Sequence, residues 1–369
     1  MKPYQFAPND THSIGVEVEL QLIDADSMAL KSACPAILQD LPAEMRDFVK
    51  PELMQCYVEV ITKVCHTVSE VEQDLRYKLD QLSKVAARHN TRLFWSGTHP
   101  FSSWHDQEIT ENERYHGLVK LLQDTARRLV TFGLHVHVAV NSGDKAVMIC
   151  DRILRHLPTL LALSSNSPFW NGRLTGLHSQ RSKIMESLPT AGLPPLMRNW
   201  SEFVWLVNHL VDTGFISSIR EIWWDVRPHY GFGTVEVRIC DIPANLEDTL
   251  GLVALIQCLV AALSKEIDSG TYQHDCHPMM VRQNKWRACR YGMAANLVDP
   301  YTQKPLPARE LVRQLVGHLR ETAAELKCTD YLDHVTAMTE KPTGAERQIF
   351  LFEEKENTAD VVRDLVEEE

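Results

Sequence analysis

The run Ile14-Gly-Val-Glu-Val-Glu-Leu20 alternates apolar and acidic residues, and Gly133-Leu-His-Val-His-Val138 and Thr234-Val-Glu-Val-Arg-Ile239 repeat the pattern with other polar groups. In a β-strand, residues two apart project to the same face. Glu17 and Glu19 then share a face, as do His135 and His137, and Glu236 and Arg238. Val16, Val18, Val136, Val138, Val235 and Val237 turn to the other face. A sheet backed by valine and fronted by carboxylates, imidazoles and a guanidinium is costly to bury unless a counter-charge neutralises it. Bound divalent metal and a phosphorylated ligand would do so. Singly, each run also reads as a half-exposed antiparallel strand, with Glu236 and Arg238 as cross-strand ion-pair partners and either histidine as a satisfied core residue. Three such runs in one chain favour a site.

The donors are mostly oxygen. Glu17, Glu19 and Glu236 join one imidazole, His135, and Glu59 adds a carboxylate from another β-rich run, Cys56–Val64, with Glu52 seven residues earlier. That set suits Mg²⁺ or Mn²⁺, whereas zinc favours cysteine or several histidines. Arg238 beside Glu236 puts a fixed positive charge where a transferring phosphoryl group develops negative charge. The chain has no P-loop, and Gly231-Phe-Gly233 runs into a strand, so it is not a dinucleotide fingerprint; GxSxG and HExxH are absent too. Periodicity alone therefore reads as a metal or phosphate site without naming a substrate.

The 369 residues have an ordinary globular composition, and a net charge of −11 argues against a general nucleic-acid binder. Nine cysteines without a CxxC pair point to reduced thiols in a cytoplasmic protein. The first residues lack the apolar stretch of a signal peptide, and the longest apolar run, Gly251–Leu263, is too short to span a bilayer, so no membrane partner is expected.

The pattern predicts strands over 12–24, 56–64, 92–96 and 131–140, and a further strand within 222–240. Helices are predicted over 67–89, 112–130, 144–165, 200–212 and 245–268, the first opened by the capping box Thr67-x-x-Glu70. A long polar loop occupies 167–199, and the chain is helical from about 306 to the acidic end. One catalytic domain over 1–369 is expected, with a core of 12–300 and a helical C-terminal part over 306–369. His99 reads as loop-shaping, and Trp223 and Trp224 as core or pocket wall.

Several segments carry a resemblance: Ile14–Leu20, Val58–Cys65, Gly97-Thr-His-Pro-Phe101, Glu113-Arg-Tyr115, Phe132–Val138, Trp223-Trp-Asp-Val-Arg-Pro228, Thr234–Asp241, Ala288-Cys-Arg-Tyr-Gly292 and Leu297-Val-Asp-Pro300. In unbroken order over roughly 12–300, they look like the type 2 glutamate–cysteine ligase family, nearest to its YbdK-type carboxylate–amine ligases. The last 65 or so residues carry little of the likeness.

The resemblance implies an α+β fold: a curved, mostly antiparallel sheet with helices on its outer face, similar to the glutamine synthetase/guanido kinase-like catalytic domain. It further implies ATP-dependent phosphorylation of a carboxylate, typically the γ-carboxyl of glutamate. An amine such as cysteine attacks the acyl phosphate, and ADP and phosphate leave, with Mg²⁺ (or Mn²⁺) bridging the phosphates. By position, Glu17, His135 and Glu236 match metal ligands near the nucleotide, and Glu19, Glu59 and Glu52 match those near the acceptor. His137 is placed to touch phosphate, and Arg238 to stabilise the transferring group. Arg227 and Arg181 are candidates for gripping a carboxylate or phosphate. Gln55 stands where a closely similar member has a carboxylate, which leaves the metal count open. A homodimer is implied as possible. The alternatives are a degenerate scaffold that binds nucleotide or metabolite, and a ligase using another amine.

Overall fold

The computed structural model describes residues 4–271, 276–299 and 301–367; Pro300 of the Leu297–Pro300 motif and the last two residues of the acidic tail lie outside them. Seven strands form the central sheet: β1 (Ile14–Asp24), β2 (Val49–Pro51), β3 (Tyr57–Ile61), β4 (Thr91–Phe94), β5 (Leu134–Ala139), β6 (Val226–His229) and β7 (Thr234–Val237). Their order is β6-β7-β5-β1-β3-β2, with β4 also paired to β1, and every pairing in this sheet is antiparallel. The expected sheet architecture is the one found.

β1 organises the sheet because its pleat separates two chemistries. Val16, Val18, Leu20 and Leu22 are fully buried on the outer face. Helices Val68–Arg88 and Leu246–Asp268 supply residues to the same continuous core. Leu246–Asp268 is long and apolar enough to cross a membrane, yet 78% of its most apolar stretch is buried inside the fold, so it reads as a core helix.

On the inner face, Glu17 and Glu19 give way to Gln21 and Ile23, both fully buried. Ile23 packs with Phe94, Leu351, Val361, Val362 and Leu365, so helices Gly344–Lys355 and Thr358–Glu367 cover this end of the face. Only the acidic end of β1 is left open.

Several sequence expectations change. The 112–130 helix is two, Glu113–Leu122 and Asp124–Arg127, broken at Gln123 with a left-handed φ of 52°. The 144–165 helix is also two, Gly143–Ile153 and Leu157–Ser164, with Pro158 in the first turn of the second. The single strand expected within 222–240 is the β6–β7 hairpin. The predicted loop 167–199 contains a helix, Gln180–Met185, and short paired strands. Helices Cys34–Asp40 and Pro278–Tyr291 were not foreseen. His99 shapes its loop as expected: it is buried, its Nδ1 accepts from the Phe101 and Ser102 amides at 3.3 and 3.0 Å, and its Nε2 lies 3.0 Å from Met28 O.

The 165–182 segment is tied to the end of β7 by buried Asp241. Its carboxylate accepts from Asn166 N at 3.0 Å, Ser167 Oγ at 2.7 Å and Ser179 Oγ at 2.9 Å. Arg181 lies beside this knot and passes under Gly133, where an added Cβ would fall 2.2 Å from its guanidinium. Gly133→Ala is therefore expected to cost about 1–3 kcal/mol in urea unfolding, and much less when added to an Arg181→Ala background. Equal cost in both backgrounds would contradict the close packing.

Candidate active site

Directly opposed residues of an antiparallel pair share a face, so the strand register decides which side chains meet. Glu19 pairs with Glu59, Glu17 with His135, Glu236 with His137, and Arg227 with Glu236. The three polar pairs read from the sequence thereby fuse into one surface. Glu17, Glu19, His135 and Arg238 of this surface line a cavity of about 510 Å³ that also takes in Glu52, Glu59, Tyr57, Arg114, Tyr115, Arg220, Trp223, Arg227, His229 and Phe232, while His137 and Glu236 lie buried beside it.

Glu17 lies at the centre. Its Oε2 is 3.0 Å from His135 Nδ1, and its Oε1 is 3.3 Å from His137 Nε2. Glu17, Glu59 and His135 each offer a ligand atom within 4.8 Å of one another, and so do Glu17, His137 and Glu236. His137 Nδ1 is 2.9 Å from Thr234 Oγ1, while its buried Nε2, between Glu17 and Glu236, has no aligned hydrogen bond among the described residues.

Charge is balanced unevenly across the cavity. Arg227 forks onto Glu236 through Nε and Nη2 at 2.7 and 3.2 Å, and Arg238 reaches the same carboxylate through Nη1. Burial opposes ionisation of Glu236, but the two arginines outweigh it and hold its pKa well below the usual range. Burial likewise opposes ionisation of Glu17, and His135 and His137 outweigh it.

Among the described residues, the other side has no such ion pairs. Burial, followed by the charges of Glu19 and Glu17, pushes Glu52 up to about 7. Burial and the neighbouring carboxylates of Glu17 and Glu52 push Glu59 well above its ordinary value. Lys50 stands opposite Glu59 in the register but turns its ammonium to Arg46 O at 3.3 Å and Asp47 at 3.8 Å. Crowded carboxylates, two imidazoles and an unsatisfied ring nitrogen fit a hard divalent cation.

Two expected roles look different in place. Arg227 grips a carboxylate of the protein itself, Glu236. Arg181 borders the cavity, but it donates to the carbonyls of Ile239 and Arg238 at 3.3 Å each and lies 3.9 Å from Asp241, so it braces the segment that carries Arg238. Glu19 reaches the cavity and accepts from Gly133 N at 2.5 Å. Gln55 turns away and donates to Ile109 O at 3.1 Å, which leaves Glu52 as the carboxylate of that segment in the cavity. Arg220 and Lys50 were missed by the sequence reading, as was Arg114 as an individual residue, although it sits in the Glu113-Arg-Tyr115 motif.

Comparison with known proteins supports a ligase of the carboxylate–amine class. The model of the family described as glutamate-cysteine ligase family 2 matches residues 13–368, and the chain belongs to that family. The match takes in the C-terminal helices, which the motif reading had left almost without likeness. A Gloeobacter violaceus protein named "Putative glutamate--cysteine ligase 2" is 42% identical over 98% of this chain and 97% of its own length. A Thermobifida fusca protein of the same name is 39% identical over 99% and 92%. Among solved structures, the fold is similar to a Francisella tularensis glutamate–cysteine ligase in complex with AMP, at a TM-score of 0.72 and 11% identity, over 98% of this chain and 90% of that one. It is also similar to a bifunctional glutathione synthetase from Pasteurella multocida, at 0.70 and 15%, over 96% of this chain and 51% of that one.

The raised pKa of Glu52 gives a pH signature. An unfolded carboxyl ionises near its ordinary value, whereas folded Glu52 keeps its proton until about 7. Its contribution to stability is therefore fully present at low pH and is lost as pH rises through that window. Without metal, Glu52→Gln should raise Tm relative to wild type by an increment that grows from pH 5 to pH 8. A pH-independent difference would contradict the crowding.

Proposed function

We propose that this protein is an ATP-dependent ligase. It phosphorylates the γ-carboxylate of glutamate or a close analogue to an acyl phosphate, which an amine, cysteine in the first instance, attacks to release ADP and phosphate. The observation that carries the reading is the position of Glu17, shared by two three-residue constellations beside the Arg227–Glu236–Arg238 cluster. The family membership and the AMP in a structure of similar fold support it.

Mg²⁺ or Mn²⁺ held by Glu17, Glu59 and His135, by Glu17, His137 and Glu236, and by Glu19 and Glu52 would neutralise the triphosphate and the acceptor carboxylate. The chain's own residues do the positioning. Arg238 sits in the cavity wall and is kept charged: burial opposes this, but Glu236 and Glu17 outweigh it and raise its pKa. A guanidinium so fixed meets negative charge on a transferring phosphoryl group without reorganising. Arg227 holds Glu236 in one orientation, and His137 keeps Nε2 between Glu17 and Glu236. Arg114, at the acidic side, is a candidate contact for the acceptor's carboxylate. The whole chain acts as one catalytic unit in this reading, in the cytoplasm.

ADP release measured with glutamate and a panel of amines tests it. Wild type should release ADP only when both carboxylate and amine are present; binding without amine-dependent turnover would favour a non-catalytic scaffold. Glu17→Gln should abolish turnover while the circular dichroism spectrum is retained, and wild-type turnover would overturn the metal assignment. Arg238→Lys should lower kcat by about 100-fold or more with little change in nucleotide affinity, because a point charge does not replace the planar fork.

A further inference from the structure

The β6–β7 turn, Tyr230-Gly-Phe-Gly233, has no part in the chemistry above, yet it forms the rim of the cavity beside the Glu17–His137–Glu236 cluster. Phe232 is 63% exposed and lines the cavity together with His229. A lone exposed phenylalanine is ordinary. This one is held in a fixed attitude. Its ring stacks on His229 with centroids 4.2 Å apart and planes 15° apart, and it meets His137 edge-on at 5.6 Å. The Phe232 amide donates to His229 Nδ1 at 3.2 Å, so a neutral His229 carries its proton on Nε2.

The turn is also pinned from behind. Gly233 N donates to His229 O at 2.9 Å, Val140 N to Gly233 O at 3.0 Å, and Ala7 N to Tyr230 O at 3.0 Å. Gly233 has a φ of 66°, and a Cβ there would fall 1.5 Å from Ala7 O, so only glycine allows this close approach. Tyr4 packs edge-on against Tyr230 at 4.9 Å. One face of the Phe232 ring is thus covered by His229, and its exposed surface borders the cavity, one ring away from His137.

We infer that Phe232, backed by His229, is the stacking platform for the planar base of a purine nucleoside triphosphate whose phosphates lie toward His137 and Arg238. The inference rests on the nucleotide reading above and deepens it by assigning the base. A preorganised aromatic suits this task because stacking needs a π face and loses little entropy when the ring is already fixed.

Calorimetric titration with Mg²⁺·ATP and with Mg²⁺·tripolyphosphate, which has the phosphates but no base, tests it. Phe232→Ala should weaken ATP binding by about tenfold, leave tripolyphosphate within about twofold of wild type on the same argument, and keep the wild-type circular dichroism spectrum. Phe232→Trp should retain ATP affinity. ATP binding unchanged in Phe232→Ala, or equal loss of both ligands, would overturn the assignment. A wild-type protein that binds tripolyphosphate but gains nothing from the base would overturn it as well. Failure of wild type to bind either ligand would instead remove the nucleotide reading, and the inference with it.

Discussion

Repulsion among carboxylates on one sheet face is the constraint to which the rest of the molecule answers. Glu17, Glu19, Glu52 and Glu59 open into one cavity with Glu236 buried beside it, and among the described residues arginines pair with a carboxylate at only one side. At that side Arg227 and Arg238 fix Glu236 in the ionised form. At the other, Glu52 and Glu59 hold protons above their ordinary range because burial and neighbouring charge leave them no better choice. A protein gains no stability from such an arrangement. In the function proposed here, it is a cradle for external cations.

The remainder of the fold keeps this strained face in place. Fully buried valines and leucines back β1, helix Leu246–Asp268 lies within the core behind the sheet, and the two last helices cover the apolar end of the inner face. The Asp241 knot and Arg181 stiffen the segment after β7, so that Arg238 stands at a defined point of the wall. Stability and chemistry are thus assigned to opposite faces of the same strands, by the two-residue period of the pleat.

That period explains what was legible in the sequence. Glu17, Glu19, His135, His137, Glu236 and Arg238 announce a shared face because alternation is a local signal. Register is not local, and so the pairing of Glu19 with Glu59, or of Arg227 with Glu236, appears only once strands distant in sequence are aligned. Arg114 and Arg220 come from exposed segments where an arginine is unremarkable, and nothing in their spacing marks them. Ser167, Ser179 and Asn166 look like loop residues until they converge on Asp241. The loop expected over 167–199 failed for that reason: its order comes from a buried carboxylate about 60 residues downstream of Ser179 rather than from its own periodicity. The C-terminal helices were foreseen as helices, but amphipathic pattern does not say which surface a helix will cover.

Anomalous X-ray scattering from crystals soaked in Mn²⁺ reads where cations bind without reference to turnover. Peaks are expected within coordination distance of Glu17, Glu59 and His135, and of Glu17, His137 and Glu236. A cavity free of anomalous density at saturating Mn²⁺, or peaks confined to surface carboxylates, would contradict the account.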